Sequence, residues 1–480
     1  MRRNRKRAAA AVLAVVLAAV SPGMVRAEDA LTYEEAMQAS YNTIPETNNI
    51  EGWPQGPLVY GNSAIVMNMN SGAVLYGKKI DERHYPASIT KLLTALIALE
   101  NSDPDDEVYF SEDSVSFLEY GDASIGMTPG EILSMNDALY GMLLASANEV
   151  SYAIAESVGK LMGGGYDTFI QEMNDRSEEL GCTGSHWMNA NGLHNEQHYT
   201  TAHDMALIAS EVSQYEQYRT VVQTLNYTIG ATNLVGETRT FQQNHKMLWE
   251  GGYYYYEYCT GGKTGYTDQS RTTLVTTADN GELQLAAVLL QDDGDVYTDT
   301  RAMFDYAFAN FSKVLLKDQA KAEGVSSYAD EKAYVVLPSG IDFSALESEI
   351  TITDEKDEAG KVTYYYKGQN VGSADVTLTA EYVKEQTGYD STPHISKTGQ
   401  ESVPKEAAGL SLIVKVLITV GAAIVLAFII LYAVIRYKQA KRRKQRLARA
   451  RRRRRNRARM RSEPPARRSS RHYAQRRRND

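Results

Sequence analysis

The chain has 480 residues, a net charge of −9 and two cysteines. That length calls for more than one domain. Two cysteines exclude a disulfide framework, and the acidity of the region between the two chain ends argues against nucleic acid as the main ligand.

Read in chain order, residues 2–7, RRNRKR, are basic and precede thirteen apolar residues, Ala8–Val20, with small residues at Val25 and Ala27. This is the pattern of a secretory signal peptide, residues 1–27, cut after Ala27. Thirteen apolar residues are too few to cross a bilayer. Residues 28–56 read as a leader. SAIVMNMNSGAVLYGKK, from Ser63, predicts a hairpin turning at Asn70-Ser71-Gly72. ITKLLTALIALE predicts a helix with Ile89, Leu92, Leu93, Leu96, Ile97 and Leu99 on one stripe. Ser134–Asp137 has capping-box spacing, with Asp in the Glu position, and opens a helix to about Leu144. A further helix starts near Glu149. RTTLVTTADNGELQLAAVLLQ predicts a second hairpin turning at Asn280-Gly281, and TRAMFDYAFANF an amphipathic helix. Mixed strands and helices over residues 57–316 predict one α+β domain.

From Lys317 the texture changes. AYVVLPSGID, EITITDE, KVTYYYKGQ and ADVTLTAEYV read as short strands, giving a small all-β domain over residues 317–384 that ends near Val383. Residues 385–409 read as a linker. Residues 410–435 are apolar apart from Lys415 and long enough for one transmembrane helix. The tail, 436–480, holds 22 Lys or Arg against Glu463 and Asp480. Basic flanks stay in the cytoplasm, so the expected protein is a single-pass membrane protein with residues 28–409 outside the cell. That outer part carries 22 basic and 58 acidic residues. Directly inside a membrane span, the tail's expected partner is anionic lipid rather than nucleic acid. Cys182 and Cys259 lie far apart in sequence, and whether they pair stays open.

Three motifs follow one another in the α+β region. Ser88-Ile89-Thr90-Lys91 is S-x-x-K, Ser146-Ala147-Asn148 is S-x-N between two predicted helices, and Lys263-Thr264-Gly265 is K-T-G beside a strand. Each alone is cheap, and Lys397-Thr398-Gly399 repeats the last by chance within the linker. The ordered trio, each in fitting local structure, is the specific signal. Residues i and i+3 of a helix face the same way, so Lys91 lies beside the Ser88 hydroxyl. A serine hydroxyl needs an adjacent base, and a lysine is a base only when neutral. Burial and the nearby charge of Lys263 both favour the neutral amine. The Ser88 N–H at the helix start, and a backbone N–H after Gly265, that of Tyr266, offer an oxyanion site. Gly265 lets substrate approach the strand closely.

This set resembles the penicilloyl serine transferases, and within them the serine D-alanyl-D-alanine carboxypeptidases, the low-molecular-weight penicillin-binding proteins. The blocks GMTPGEILSMNDALYGMLLASANEVSYAIAE, LGCTGSHWMNANGLHNEQHYTTAHDMALIA and GGKTGYT extend the resemblance over Asn62–Leu316. It implies a transpeptidase-like antiparallel sheet flanked by helices, followed by a β-rich second domain. It also implies that Ser88 forms an acyl-enzyme, Lys91 accepts its proton, Ser146 relays a proton, and Asn148 binds the substrate amide. Lys263 and Thr264 would grip the terminal carboxylate. The implied substrate is the D-Ala-D-Ala end of a peptidoglycan stem peptide, β-lactams are the implied inhibitors, and no metal or cofactor is needed. Two departures stand out: Ala147 occupies the middle of S-x-N, and a full span with a basic tail replaces the family's amphipathic anchor.

Other readings remain. A secreted β-lactamase would use the same trio but needs a deacylating carboxylate, and none is evident. A non-catalytic wall-binding sensor would use the tail to report inward. His194–His198, HNEQH, lacks the H-E-x-x-H order of a helix-borne zinc site. No G-x-S-x-G elbow supports a Ser-His-Asp triad. Tyr253–Cys259, YYYYEYC, reads as rings packed on a loop or strand rather than a sugar platform. Asp204 is a first-turn residue of a helix starting at His203.

Overall fold

Both predicted hairpins belong to one five-stranded sheet. The computed structural model describes residues 32–389. The signal peptide, most of the linker, the candidate span 410–435 and the tail 436–480 lie outside the described residues. Among those described, no helix is long and apolar enough to cross a membrane.

The first hairpin is β1 (Ser63–Asn68) and β2 (Val74–Lys78), turning through Gly72 at a φ of 72°. After two short antiparallel pairs, β3 (Glu107–Tyr109) with β4 (Ile132–Ser134) and β5 (Asn226–Ile229) with β6 (Arg239–Gln242), the chain returns to the main sheet. There β7 (Cys259–Thr267), β8 (Arg271–Asp279) and β9 (Gln284–Asp292) complete five antiparallel strands in the order β2-β1-β9-β8-β7. The second hairpin turns at Asn280-Gly281, where Gly281 has a φ of 87°.

Every residue of β1 and β2 is buried. The reason is that the sheet is covered on both faces, as strands without a polar face require. Ile65, Met67, Val288 and Leu290 point into one core, and Ala64, Val66, Ala287 and Leu289 into the other. On the first face lie α1 (Lys91–Asn101), α2 (Met135–Leu143), α3 (Asn148–Leu161), α4 (Tyr166–Glu179), α5 (Ala202–Val212) and α6 (Glu216–Gln223). On the second lies α7 (Val296–Asn310).

The helix expected to carry one apolar stripe is instead buried all round: every α1 residue from Lys91 to Leu99 is inside. A helix at the middle of a helical layer needs no polar face. Leu92, Leu93, Leu96 and Ile97 each contribute roughly 1.5–3 kcal/mol by burial. Ser134 caps α2 by accepting from the Asp137 N–H at 3.1 Å, and the Asp137 carboxylate accepts from the Tyr227 hydroxyl instead of turning back to the cap.

The described part of the expected leader, residues 32–56, holds a helix, Tyr33–Tyr41, and then packs into the sheet domain. Trp53 is buried against Phe311 and Tyr366 and donates its indole N–H to the Leu75 carbonyl. The buried Lys78 ammonium donates to the carbonyls of Ser40, Val59 and Gly61, fastening this stretch to β2. At the other end β10 (Phe311–Leu315) pairs with β12 (Tyr334–Pro338), across the expected boundary at Leu316. β11 (Val325–Tyr328), β13 (Glu347–Asp354), β14 (Ala359–Tyr366) and β15 (Gln369–Leu378) form a four-stranded sheet in the order β11-β15-β14-β13. ADVTLTAEYV is strand only as far as Leu378. Thr379 then caps a helix, Ala380–Thr387, that closes on Gly388 in the left-handed region. The described residues thus form an α+β structure within one compact unit.

Candidate active site

Edge strand β7 carries Lys263-Thr264-Gly265 and pairs with β8 on one side only. Its other edge meets the short 3-10 turn Ala87–Thr90 that leads into α1. The approach is so close that a Cβ on Gly265 would fall 2.8 Å from the Ser88 nitrogen and 2.4 Å from the Thr273 hydroxyl. Gly265 is therefore needed by the loop that carries Ser88, more directly than by an approaching ligand. Thr273 also donates its hydroxyl to the Pro86 carbonyl at 2.8 Å, pinning that loop to the sheet.

Lys91 is wholly buried, and its Nζ makes three contacts: Ser88 Oγ at 2.9 Å, Asn148 Oδ1 at 2.8 Å and the Asn191 carbonyl at 2.6 Å. A neutral amine has two hydrogens and one lone pair. Two of these neighbours are acceptors only, so the hydrogens go to them and the lone pair is left for the Ser88 hydroxyl. Burial above all, and then the charge of Lys263, hold Lys91 well below the ordinary lysine range, while Glu149 and Asp122 pull it weakly back. Burial likewise lowers Lys263 to about 7. Residues of all three motifs thus surround one amine: Ser88 and Asn148 by hydrogen bonds, Lys263 by its charge.

Two residues beside this centre have left-handed backbones that only glycine adopts easily: Ala87 at a φ of 50° and Ser146 at 63°. Each costs of order 1–3 kcal/mol and is held by its surroundings. Ala87 sets the Ser88 oxygen toward the cleft. Ser146 sits in the turn between α2 and α3, beside the buried Ala147. Ser88, Ser146, Thr264, Gly265 and Tyr266 line one cleft of about 320 Å³. Lys263 is buried, and its Nζ donates to the Thr264 carbonyl at 2.7 Å. The Tyr266 ring stands 60% exposed at the rim.

Sequence reasoning missed the loop that seats this centre. Asn191 supplies the carbonyl on Lys91, Ala190 accepts from the Thr94 hydroxyl, and Gly192 lies against Ala87. His198, set aside as a metal ligand, is buried beneath it. The Thr90 hydroxyl donates to the Ala87 carbonyl, so the His198 Nε2–H donates to Thr90 at 2.9 Å, and its Nδ1 accepts from the Met188 N–H. The ring is neutral, in keeping with burial that lowers it to about 3. The signal was present in the Asn-Ala-Asn-Gly run, which reads as a loop, but its partner could not be read. Asn244, Lys246, Val296 and Tyr297 complete the cleft wall, and no motif marked them. Cys182 and Cys259 are both unbridged. Of the YYYYEYC run, Tyr256 is buried, while Tyr253 and Tyr255 are exposed. A larger cavity of about 420 Å³, lined by Arg83, Tyr85, Glu196 and Tyr199 among others, contains none of the three motifs.

Residues 53–294 match the family model described as D-alanyl-D-alanine carboxypeptidase. The chain is 27% identical over 342 residues to the D-alanyl-D-alanine carboxypeptidase DacF of Bacillus subtilis, covering 67% of this chain and 83% of that protein. It is 29% identical over 263 residues to DacB2 of Mycobacterium tuberculosis, covering 53% of this chain and 84% of that one. Among solved structures, the Streptomyces K15 DD-transpeptidase aligns at 25% identity and a TM-score of 0.48, over 53% of this chain and 100% of that chain.

Proposed function

The chain belongs to the D-alanyl-D-alanine carboxypeptidase family of serine hydrolases, and from that premise we propose that it trims the terminal D-alanine of peptidoglycan stem pentapeptides through a Ser88 acyl-enzyme. The observation that carries this reading is the Lys91 amine, buried, 2.9 Å from the Ser88 oxygen, with both its hydrogens claimed by Asn148 and Asn191.

In the proposed cycle Lys91 takes the proton of Ser88 as Oγ attacks the carbonyl of the penultimate D-alanine. The developing oxyanion meets the Ser88 N–H and a β7 N–H, that of Tyr266. Ser146 relays a proton to the departing nitrogen, D-alanine leaves, and water cleaves the ester. Asn148, already fixed by Lys91, offers the rest of its amide to the substrate backbone. Thr264, which lines the cleft with Ser88, would meet the terminal carboxylate, and Lys263 would keep Lys91 neutral. β-Lactams acylate the same oxygen by the same attack.

The basic start, the apolar segment 410–435 and the basic tail support a cell-membrane location, with the catalytic domain outside and the tail on anionic lipid. The separate four-stranded sheet β11-β15-β14-β13 supports the reading of a small β-rich second domain. Intact-protein mass spectrometry with penicillin, followed by peptide mapping, tests the chemistry. One adduct on Ser88 is expected; an adduct on any other residue overturns the mechanism.

A further inference from the structure

We propose that Lys246 recognises the free carboxylate of the departing D-alanine and so sets the enzyme's preference for chain ends. This rests on the carboxypeptidase reading above. A substrate ending in D-Ala-D-Ala brings a carboxylate into the cleft, and a carboxylate withdrawn from water needs a cationic partner. Lys263 is poorly placed to be that partner: it is buried behind the wall, with its Nζ on the Thr264 carbonyl.

Among the described residues, Lys246 is the one cation that lines the cleft with Ser88. It lies at the 3-10 turn Lys246–Leu248 that follows β6 and precedes β7, and its side chain is exposed. Its Nζ stands over two rings, 5.4 Å from the centroid of Tyr254 and 5.6 Å from that of Tyr297. The acid nearest these rings, Asp295, already accepts from the Tyr254 hydroxyl and from Thr298. The rings orient the ammonium without using its hydrogens. Lys246 and Ser88 line the same cleft of about 320 Å³, the space a leaving group at Ser88 would enter. Thr264, Asn244 and the Tyr297 ring share the same wall and supply polar and flat surfaces beside it.

The consequence is a division of labour between two lysines. Lys263 tunes the base, and Lys246 reads the leaving group. A peptide that continues past the scissile bond, or ends in an amide, lacks the charge that Lys246 reads and is a poor substrate for that reason.

The test compares an N-acylated tripeptide ending in D-Ala-D-Ala with its C-terminal amide, following release of D-alanine and D-alaninamide. Wild-type protein is expected to prefer the acid. Lys246→Met is expected to lower the acid-to-amide ratio of kcat/KM about 10- to 100-fold, the range of one hydrogen bond to a charged group. Lys246→Arg should restore most of it. Because the ratio is internal to each variant, a partly unfolded sample does not mimic the effect. An unchanged ratio in Lys246→Met, with wild-type protein cleaving the acid, overturns the role of Lys246 and leaves the carboxypeptidase reading intact. Wild-type protein that releases neither product overturns both.

Discussion

The Asn191 carbonyl oxygen lies 2.6 Å from the Lys91 nitrogen, and the residue after it, Gly192, makes that contact possible. Gly192 has a φ of 88°, and a Cβ there would fall 1.9 Å from the Ala87 carbonyl oxygen. Lys91, the proposed base, and the loop of Ser88, the proposed nucleophile, are thus clamped by one backbone turn that touches both. Gly192→Ala should cost roughly 1–3 kcal/mol from the backbone alone, and more from the clash. It should also slow penicillin acylation by moving the Asn191 carbonyl off Lys91. Gly163→Ala is the control, because Gly163 has a similar φ of 91° but open space around its Cβ position. It should lose stability without losing acylation rate. Equal acylation rates in the two variants would remove the clamp from the account.

A second expectation concerns the protonation state of Lys91. A guanidinium keeps the positive charge and the reach but cannot give up its proton. Lys91→Arg keeps N–H donors for the acceptors Asn148 and Asn191 and should fold, yet lose acylation at least 100-fold, the lower end of a general base's contribution. Labelling with a fluorescent penicillin under time control measures this. Near-wild-type labelling would mean that something other than Lys91 deprotonates Ser88.

Much of this centre was legible from spacing. The i, i+3 relation of Ser88 and Lys91 follows from helical geometry, and Gly281 and Gly72 mark turns because few other residues adopt their φ values. What could not be read was set by contacts distant in sequence. Asn191 lies a hundred residues from Lys91. The left-handed backbones at Ala87 and Ser146 are imposed from outside, against the preference of those residue types. The α1 stripe was misread as one-sided because its apolar pattern does not reveal that helices cover its remaining faces as well. ADVTLTAEYV was read as strand throughout because its apolar alternation hid a readable cap at Thr379 and a readable stop at Gly388.

The two buried lysines make acylation and stability rise together with pH. Acylation needs neutral Lys91, so its rate should rise with pH as that amine loses its proton. Lys263→Met removes the second cause of Lys91's lowered pKa, and the rise should move to higher pH. The same change should stabilise the fold. Lys263 titrates near 7 when folded and near 10.5 when unfolded, so between those values the unfolded chain holds the extra proton and wild-type stability climbs with pH. At pH 7 the burial cost is close to fully present, and Lys263→Met should raise the melting temperature, by about 2–4 °C per kcal/mol recovered. Thermal melts at pH 7 and pH 10 check this: the gain should shrink at the higher pH, and a gain that grows would contradict it.

A carboxylate pair across the sheet gives the opposite slope. Asp292, at the end of β9, and Asp299, in α7, are both buried, and the Asp292 Oδ2 has no partner among the described residues. Asp299 accepts from the Tyr60 N–H, and Asp292 from the Gly294 N–H. Burial, and for Asp292 the neighbouring charge of Asp299, push both carboxyls above the ordinary range, so the folded pair keeps a proton that the unfolded chain loses near pH 4. As pH rises from there through the raised folded values, the unfolded state binds fewer protons and stability falls. Asp292→Asn keeps an oxygen for Gly294 and supplies an N–H toward Asp299, so it should remove the like-charge repulsion. Urea midpoints measured at pH 5 and pH 8 should then converge in the variant, with the larger gain at pH 8. A gain confined to pH 5, or a loss at both, would place the shared proton elsewhere, with Lys78 as the group whose charge offsets the pair.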